Sequence, residues 1–132
     1  MKLRAIVLAV LLGFVGLTYA SPLSTFSWTP PTNYENGQVL DTTVDPLTYN
    51  LYCSDTSGGP YSFVTTFNGG SSAAGVDVAS CVQGVPGTYY FVLTAVSSVY
   101  NAESGYSNEL AKTYTVSDLG LVPNAPVLLS IQ

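Results

Sequence analysis

Few side chains in this sequence could do chemistry. The 132 residues include no histidine, and Lys112 is the only basic residue after position 20. A serine or cysteine nucleophile needs a neighbouring base, most often histidine, and metal-assisted chemistry needs a cluster of ligands. Neither arrangement is visible. We therefore expect a protein that is not an enzyme, with no catalytic, cofactor-binding or metal-binding residues and no cofactor.

Three carboxylates share one polar stretch, a long loop predicted over residues 33–46. They belong to Glu35, Asp41 and Asp45. Grouped oxygen ligands of this kind suit a weak Ca²⁺ site, whereas acidic residues in a loop more often serve as solvated charges. The sequence leaves both interpretations open.

Four tyrosines lie in or beside predicted loops: Tyr34, Tyr61, Tyr100 and Tyr106. Exposed aromatic rings can stack on sugars or anchor a protein contact. Tyrosines also cap the ends of β-sandwiches and cover their cores, which is the commoner role. A glycan or a cell-surface protein is therefore a candidate partner, with these four rings as the ligand contacts.

The first twenty residues, MKLRAIVLAVLLGFVGLTYA, have the layout of a secretory signal peptide. Lys2 and Arg4 precede an apolar stretch over residues 5–17, and Ala20 occupies the cleavage position. The apolar stretch is shorter than the ~20 residues that span a bilayer, which disfavours the alternative of an uncleaved anchor. We expect residues 1–20 to be removed and the protein to be secreted, either to the extracellular space or to the periplasm or cell surface.

Export to an oxidising compartment bears on the two cysteines, Cys53 and Cys81. Cysteines in such a compartment are expected to pair. Closing the loop between them would stabilise a small domain by roughly 3–4 kcal/mol. Two cysteines without histidine do not make a structural zinc site, so a disulfide is the preferred prediction.

The charge of the chain excludes two classes of partner. Beyond residue 20 there is one lysine against eight acidic residues, a formal charge of −7. Nucleic acids and anionic membranes are bound by clusters of lysine and arginine. We therefore expect no nucleic-acid partner, and no membrane partner after cleavage of the signal peptide.

Short β-strands separated by turn residues dominate the rest of the chain. Alternating apolar residues and Gly, Pro, Asn and Ser punctuation predict six strands, at residues 24–31, 47–53, 61–67, 76–82, 88–96 and 108–116. The strand at 88–96 is apolar on both faces, which favours a central position in a sheet. The predicted fold class is an all-β sandwich of about seven strands, with residues 21–116 as the domain.

Four motifs, in order, resemble a fibronectin type III domain of the bacterial, secreted kind: SWTPPT, LTYNLYC, PGTYYFVLTAV and AESGYSNELAKT. The resemblance covers residues 24–116 and implies an immunoglobulin-like sandwich without catalytic machinery. It also implies that Trp28 is the core tryptophan and that the Tyr89 hydroxyl donates to a backbone group at a corner. The two cysteines depart from the family pattern, and Val82 or Val85 must serve as the apolar residue before PGT.

The strand alternation and the resemblance together predict a core between the two sheets. Its members are Trp28, Tyr49, Leu51, Tyr89, Phe91, Leu93 and Leu110.

The end of the sequence looks like the beginning of such a domain. In the family, a strand with a proline-rich lead precedes the tryptophan strand, but only SPLSTFS stands between the predicted cleavage site and Trp28. VPNAPVLLSIQ, residues 122–132, resembles that lead and strand. We therefore assign residues 117–132 as a linker and a C-terminal strand, and the strand residues are Pro126, Val127, Leu128, Leu129 and Ile131.

Three destinations are open to this strand: a neighbouring molecule, the chain's own sandwich after residues 117–125 cross it, or none. We favour the first, because a strand given to the next copy repeats head to tail. The expected function is a secreted, non-enzymatic structural subunit that self-associates into extracellular filaments. The alternative is a monomeric adhesion or carbohydrate-binding module that uses the loop tyrosines.

Overall fold

The computed structural model describes residues 22–131, and the predicted signal peptide lies outside them. Seven strands and one helical turn follow in the order β1 (Leu23–Ser27), β2 (Leu47–Ser54), β3 (Ser62–Asn68), β4 (Ser72–Asp77), α1 (Ala79–Val82), β5 (Gly87–Ser97), β6 (Ala102–Glu103) and β7 (Leu110–Tyr114). Across this range there is no helix with the length and apolar character needed to cross a bilayer.

The strands form two antiparallel sheets. β1 pairs with β4, and the larger sheet has the order β3-β2-β5-β6, with β7 also paired to β5. One cluster of buried side chains draws members from both sheets and from α1. The prediction of an all-β sandwich of about seven strands is confirmed.

Alternation along the two longest strands explains how the larger sheet covers the core. The inward side chains of β2 are buried, and they are Leu47, Tyr49, Leu51 and Cys53. Side chains on the outer face of β5 are buried as well, because the strands on both sides of β5 surround them with neighbouring side chains: Val92, opposite Tyr52, is one of these buried residues. This position accounts for the apolar character of both faces of β5.

Turn α1 and the chain after β7 close one end of the sandwich. Val82 and Leu119 are fully buried at this end. The single hydrogen of the Tyr89 hydroxyl is shared between two carbonyls, that of Val82 at 3.1 Å and that of Val85 at 2.9 Å. These bonds tie the turn to β5.

The strand predicted over residues 76–82 is wrong in its extent. β4 ends at Asp77, whose carboxylate accepts a hydrogen bond from the Ala79 N–H at 2.8 Å. An aspartate that bonds the backbone two residues on starts a turn, so the chain leaves the sheet here. Cys81 is disulfide-bonded to Cys53, as predicted, but the bond joins β2 to α1 rather than one strand to another.

The chain leaves the sandwich through a compact turn after β7. The N–H groups of Leu119 and Leu121 donate to the carbonyls of Thr115 and Val116, at 3.2 and 2.8 Å. Residues 122–131, here called the C-terminal segment, form neither strand nor helix and are exposed throughout. Residues 126–131 therefore lie outside both sheets in a single copy.

Candidate functional site

β1 has one paired edge and one open edge. At its end, the Trp28 N–H donates to the Ser71 carbonyl, beside β4, at 2.8 Å. Because main-chain groups alternate in direction along a strand, those of Thr25 and Ser27 point to the opposite edge. Within residues 22–131 no strand pairs with that edge. Such an edge can accept a further strand.

A groove of about 550 Å³ runs between the open edge of β1 and strand β7; we call it the β1–β7 groove. The rings of Phe26 and Phe91 meet across the two sheets with centroids 5.2 Å apart, edge to face. Other residues that line the groove include Trp28, Leu93, Leu110 and Lys112. The sandwich is thus open to solvent along this side.

Leu110 faces the interior of the sandwich but is not covered. It lies directly opposite the buried Phe91 in the β5–β7 ladder, and opposite residues share a face. Leu110 is nevertheless 64% exposed. The prediction that Leu110 belongs to the buried core is therefore wrong, because no strand of the described chain lies over this position.

Trp28 and Leu93, two further members of the predicted core, are half-buried beside the groove. The Trp28 ring stacks on Phe67 at 5.2 Å and contacts Tyr49 at 5.1 Å. Its Nε1–H is buried and has no acceptor among the described residues. The tryptophan therefore packs at the aromatic end of the groove, where its cover is incomplete.

The opposite end of the groove is polar. The hydroxyls of Ser24 and Tyr114 are 2.6 Å apart, and the Lys112 ammonium donates to Ser24 Oγ at 2.9 Å. The same ammonium lies 4.9 Å from the centre of the Tyr114 ring. Burial raises the pKa of Tyr114, which keeps its hydroxyl neutral at this position.

Residues 126–131 of the C-terminal segment are the most exposed apolar part of the described chain. Leu129 is 90% exposed, and the neighbouring apolar side chains are nearly as accessible: Val127, Leu128 and Ile131. Apolar side chains gather in this way on surfaces that meet a partner.

Antiparallel insertion of this segment into its own groove requires a fully stretched chain. The turn that ends at Leu121 holds the chain at the end of the sandwich where β7 finishes, so only residues 122–125 are free to cross. From Leu121 to Pro126 the chain reaches at most ~18 Å, and a six-residue strand spans ~17 Å. The crossing chain would have to lie along the same edge that the strand must occupy.

Asp45 is a buried carboxylate, 1% exposed, at the end of the long loop. It accepts hydrogen bonds from the Ser97 hydroxyl at 2.6 Å, the Tyr34 hydroxyl at 2.9 Å and the Val99 N–H at 3.1 Å. These bonds, led by that of Ser97, lower the pKa of Asp45. The bond to Asp45 raises the pKa of Tyr34 to about 12. Asp45 therefore fastens the loop to the end of β5.

The three loop carboxylates are not gathered into a cation site. Asp41 accepts hydrogen bonds from the hydroxyl and the N–H of Thr43, at 2.6 and 2.9 Å, which lower its pKa. Glu35 is exposed. Residues 22–131 contain no group of three His, Cys, Asp or Glu side chains that could hold a metal ion. The carboxylates of Asp41 and Asp45 shape the loop instead.

The four loop tyrosines form two separate pairs. Tyr34 contacts Tyr100 at 5.8 Å, and Tyr61 contacts Tyr106 at 5.1 Å, both edge to face. The second pair continues to Tyr52, 5.4 Å from Tyr106. A run of aromatic rings thus follows the outer face of the larger sheet.

Carboxylates already engage the hydroxyls of this aromatic run. Glu109 accepts from the hydroxyl of Tyr61, from that of Ser57 at 2.7 Å and from the Gly58 N–H at 2.7 Å. The bond with Tyr61 is the main cause of the lowered pKa of Glu109 and of the raised pKa of Tyr61. The exposed ring of Tyr106 is what remains accessible to a ligand.

The sequence does not predict the structural role of residues 103–107, which lie between the strands predicted at 88–96 and 108–116. One oxygen of Glu103 accepts from Thr94 at 2.5 Å and from Tyr52 at 2.6 Å, linking β5, β2 and β6. The hydroxyls of Ser104 and Ser107 accept from the N–H groups of Ala95 and Leu93, both at 2.9 Å. Two serines three residues apart after a central strand are the signal that could have revealed this pairing.

Comparison with known proteins adds no assignment. Neither protein-family models, nor curated proteins, nor solved structures gave a match to this chain. The functional argument therefore rests on the groove, the exposed segment and the chemistry around them.

Proposed function

We propose that the protein is a secreted, non-enzymatic structural subunit that assembles by strand donation. In this proposal, residues 126–131 of one copy fill the β1–β7 groove of the next. The observation that carries it is the uncovered, inward-facing Leu110 beside the open edge of β1.

A donated strand would pair the open edge of β1 and cover the exposed Leu110 side chain at the same time. Its main chain supplies partners for the open-edge groups of Thr25 and Ser27, as in β-augmentation. Because side chains alternate along a strand, Val127, Leu129 and Ile131 share one face and can enter the groove over Leu110. Burying each of them fully contributes roughly 1.5–3 kcal/mol before the cost of ordering the segment.

Two further arguments support another copy as the donor. The resemblance to a fibronectin type III domain expects a strand next to the tryptophan strand, and the groove lies beside β1. The taut crossing described above disfavours antiparallel self-insertion. Donation from copy to copy repeats head to tail and gives an extended filament.

The test is the mass of the secreted full-length protein, measured by light scattering over a range of concentrations. We expect the wild-type protein to form multimers whose size grows with concentration. Leu129→Asp should remain monomeric, because the donated strand would carry a charge into the groove. Val44→Asp, which places the same charge at an exposed loop position, is the matched control and should assemble like the wild type.

Two results would refute strand donation. One is a wild-type protein that stays monomeric at every concentration. The other is a Leu129→Asp variant that assembles as readily as the wild type.

A monomeric carbohydrate-binding or adhesion module is the second candidate. It is favoured by the aromatic run from Tyr61 through Tyr106 to Tyr52, in which Tyr106 is exposed. A glycan-array screen tests it: binding by the wild type that Tyr106→Ala abolishes would support this function. Equal signals, or none, would reject it. Tyr100→Ala tests the separate pair with Tyr34.

A further inference from the structure

We propose that the β1–β7 groove binds a second kind of donor strand, one from another protein that carries an aspartate or glutamate side chain facing Lys112. This inference rests on the strand donation proposed above and adds a partner of stated chemistry. The partner strand is apolar over most of the face that enters the groove and acidic at one end of that face. It binds more tightly than the C-terminal segment of another copy and displaces that segment.

Lys112 places a positive charge on the inner face of the sandwich. It lies opposite the buried Tyr89 in the β5–β7 ladder, and opposite residues share a face. Its ammonium donates to the Ser24 hydroxyl at 2.9 Å and lies 4.9 Å from the centre of the Tyr114 ring. Of the residues that line the groove, Lys112 alone is charged. The groove is therefore positive at the end where β1 begins and uncharged elsewhere.

The carboxylate that senses this charge is engaged elsewhere. The N–H and the hydroxyl of Thr115 donate to Asp118, each at 2.7 Å, and these bonds are the main causes of the lowered pKa of Asp118. The charge of Lys112 is the smallest of those causes. An ammonium carries three donors, and its one hydrogen bond to the described residues goes to the neutral Ser24. The other donors need acceptors once a strand covers the groove.

The C-terminal segment of another copy has no acceptor side chain to offer. The side chains on its groove-facing side are those of Val127, Leu129 and Ile131. With the middle one over Leu110, the inward position nearest Lys112 belongs to one of the other two, whichever way the strand runs. An apolar side chain therefore meets the ammonium in both directions, and covering the groove removes water from the charge without replacing it.

A carboxylate at that inward position pairs with the ammonium inside the groove. Hydrogen bonds between an ammonium and a carboxylate are roughly twice as strong as those between neutral groups. A buried charge without its partner is strongly destabilising, so the pair is better than the lysine alone. The eight acidic residues beyond residue 20 all precede residue 119, within the folded part, so none is available to a donated strand. The acidic strand therefore belongs to another protein.

The position of the acidic side chain matters as much as its charge. The middle of the groove is lined by Phe26, Phe91 and Leu110, where a carboxylate would find no cation. This is why Leu129→Asp is expected to block assembly, although it also introduces an acid. The recognised strand has apolar side chains at two alternate positions and an acidic side chain at the third, beside Ser24.

Synthetic peptides added to the full-length Leu129→Asp protein test this preference. The native peptide is residues 122–132 with an amidated end, and two variants carry Val127→Glu or Ile131→Glu, one for each strand direction. We expect one of these two to bind about tenfold more tightly than the native peptide, the effect of one charge-assisted hydrogen bond. The matched control is Leu128→Glu, which places the same charge on the outward side and should bind like the native peptide. Trp28 fluorescence measures binding, since the peptides contain no aromatic residue.

The role of Lys112 is tested by two substitutions in the same protein. Lys112→Met removes the charge and keeps the length of the side chain, so the native peptide should become the tighter binder. Lys112→Arg keeps a charged donor and should preserve the advantage of the acidic peptide. Thermal unfolding of both variants checks that the sandwich itself is intact.

In the wild-type protein, light scattering measures displacement. The tighter acidic peptide should reduce the mass of the multimers at concentrations at which the Leu128→Glu peptide has no effect. Multimers that persist at saturating acidic peptide would show that copies associate through another surface, which contradicts strand donation between copies.

The outcomes separate this inference from the function on which it rests. Equal binding of the native and both inward-facing acidic peptides would overturn the preference while leaving strand donation in place, as would an advantage that persists in Lys112→Met. Tightest binding by Leu128→Glu would also overturn it. Binding of an acidic peptide alone would support the second partner and contradict donation between copies. Binding of none of the peptides would refute both proposals.

Discussion

Phe91 and Leu110 lie directly opposite each other on one face of the β5–β7 ladder, yet Phe91 is buried and Leu110 is 64% exposed. Opposite residues on an antiparallel ladder normally share the same surroundings. Here the difference arises because Phe91 is covered by Phe26 from β1, whereas Leu110 lies over the groove. The pair therefore marks where the cover of the core ends.

This difference predicts unequal costs of truncation in a single copy. In the Leu129→Asp protein, which we expect to be monomeric, Phe91→Ala should lower the free energy of unfolding by ~3–5 kcal/mol, as for other buried phenylalanines. Leu110→Ala should cost less than ~1 kcal/mol, because its side chain is already in water. Urea denaturation measures both. A loss for Leu110→Ala equal to that for Phe91→Ala would show that the groove is closed in the monomer.

Acid should remove the stabilisation that Asp45 provides. Its pKa in the folded state is lowered by hydrogen bonds led by that of Ser97, from an ordinary value near ~3.9. The contribution is therefore present above about pH 4 and is lost as the pH falls through the folded-state pKa. Asp45→Asn should lower the stability at pH 7 and flatten part of its decline in acid, measured as urea midpoints from pH 7 downward. The exposed Asp55→Asn is the control, and an Asp45→Asn curve parallel to the wild type would contradict the assignment.

Raising the pH should reveal the late ionisation of Tyr34, whose hydroxyl donates to Asp45. The hydrogen bond to Asp45 raises the pKa of Tyr34 to about 12, against an ordinary value near ~10. The stabilisation is complete below about pH 10 and is lost as the pH rises through the folded-state value, because the folded state holds the proton more tightly. Tyrosinate absorbance should lose one late-titrating group in Tyr34→Phe, while other late groups remain, because the pKa values of Tyr61 and Tyr114 are raised as well. Tyr100→Phe serves as the control, and loss of the late group in that variant instead would reassign it.

The regular parts of this fold could be predicted from the sequence, because they depend on short-range pattern. The alternation of Leu47, Tyr49, Leu51 and Cys53 defines β2. The disulfide was predictable from the number of cysteines together with the expected export of the chain. The turn at residues 79–82 lies within the strand predicted at 76–82, because Val78 and Val82 also fit an alternating pattern. What ends the strand is the Asp77 carboxylate bonding to the Ala79 N–H.

The candidate site could be predicted only in part. The displaced strand signal predicts a missing neighbour for β1, but the alternation also places Leu110 in the core, because its own position faces inward. For Asp45 the sequence leaves a solvated loop charge and a weak Ca²⁺ site open, since no neighbouring residue in the sequence indicates that this carboxylate is buried. Its partner Ser97 lies 52 residues away, so only the folded chain brings them together.

The disulfide should contribute measurably to the stability of this small domain. It closes a loop between residues 28 positions apart, for which the chain-entropy model gives roughly 3–4 kcal/mol. The double variant Cys53→Ala with Cys81→Ala should lose about that much in urea denaturation. Thiol labelling of the native, non-reduced wild-type protein should label neither cysteine. Stoichiometric labelling of both would contradict the bond.

Trp28 is the one tryptophan of the chain, so its fluorescence reports on the aromatic end of the groove. In a single copy it is half-buried between Phe67 and the open side. In the proposed assembly, a strand donated by another copy would cover that side and remove water from the ring. The emission should then shift to shorter wavelength, and quenching by acrylamide should fall, as the concentration rises through the range in which multimers form.

Leu129→Asp should keep the spectrum of the dilute protein at every concentration, whereas Val44→Asp should follow the wild type. A spectrum that does not change while light scattering shows multimers would mean that the copies associate through a surface other than the β1–β7 groove.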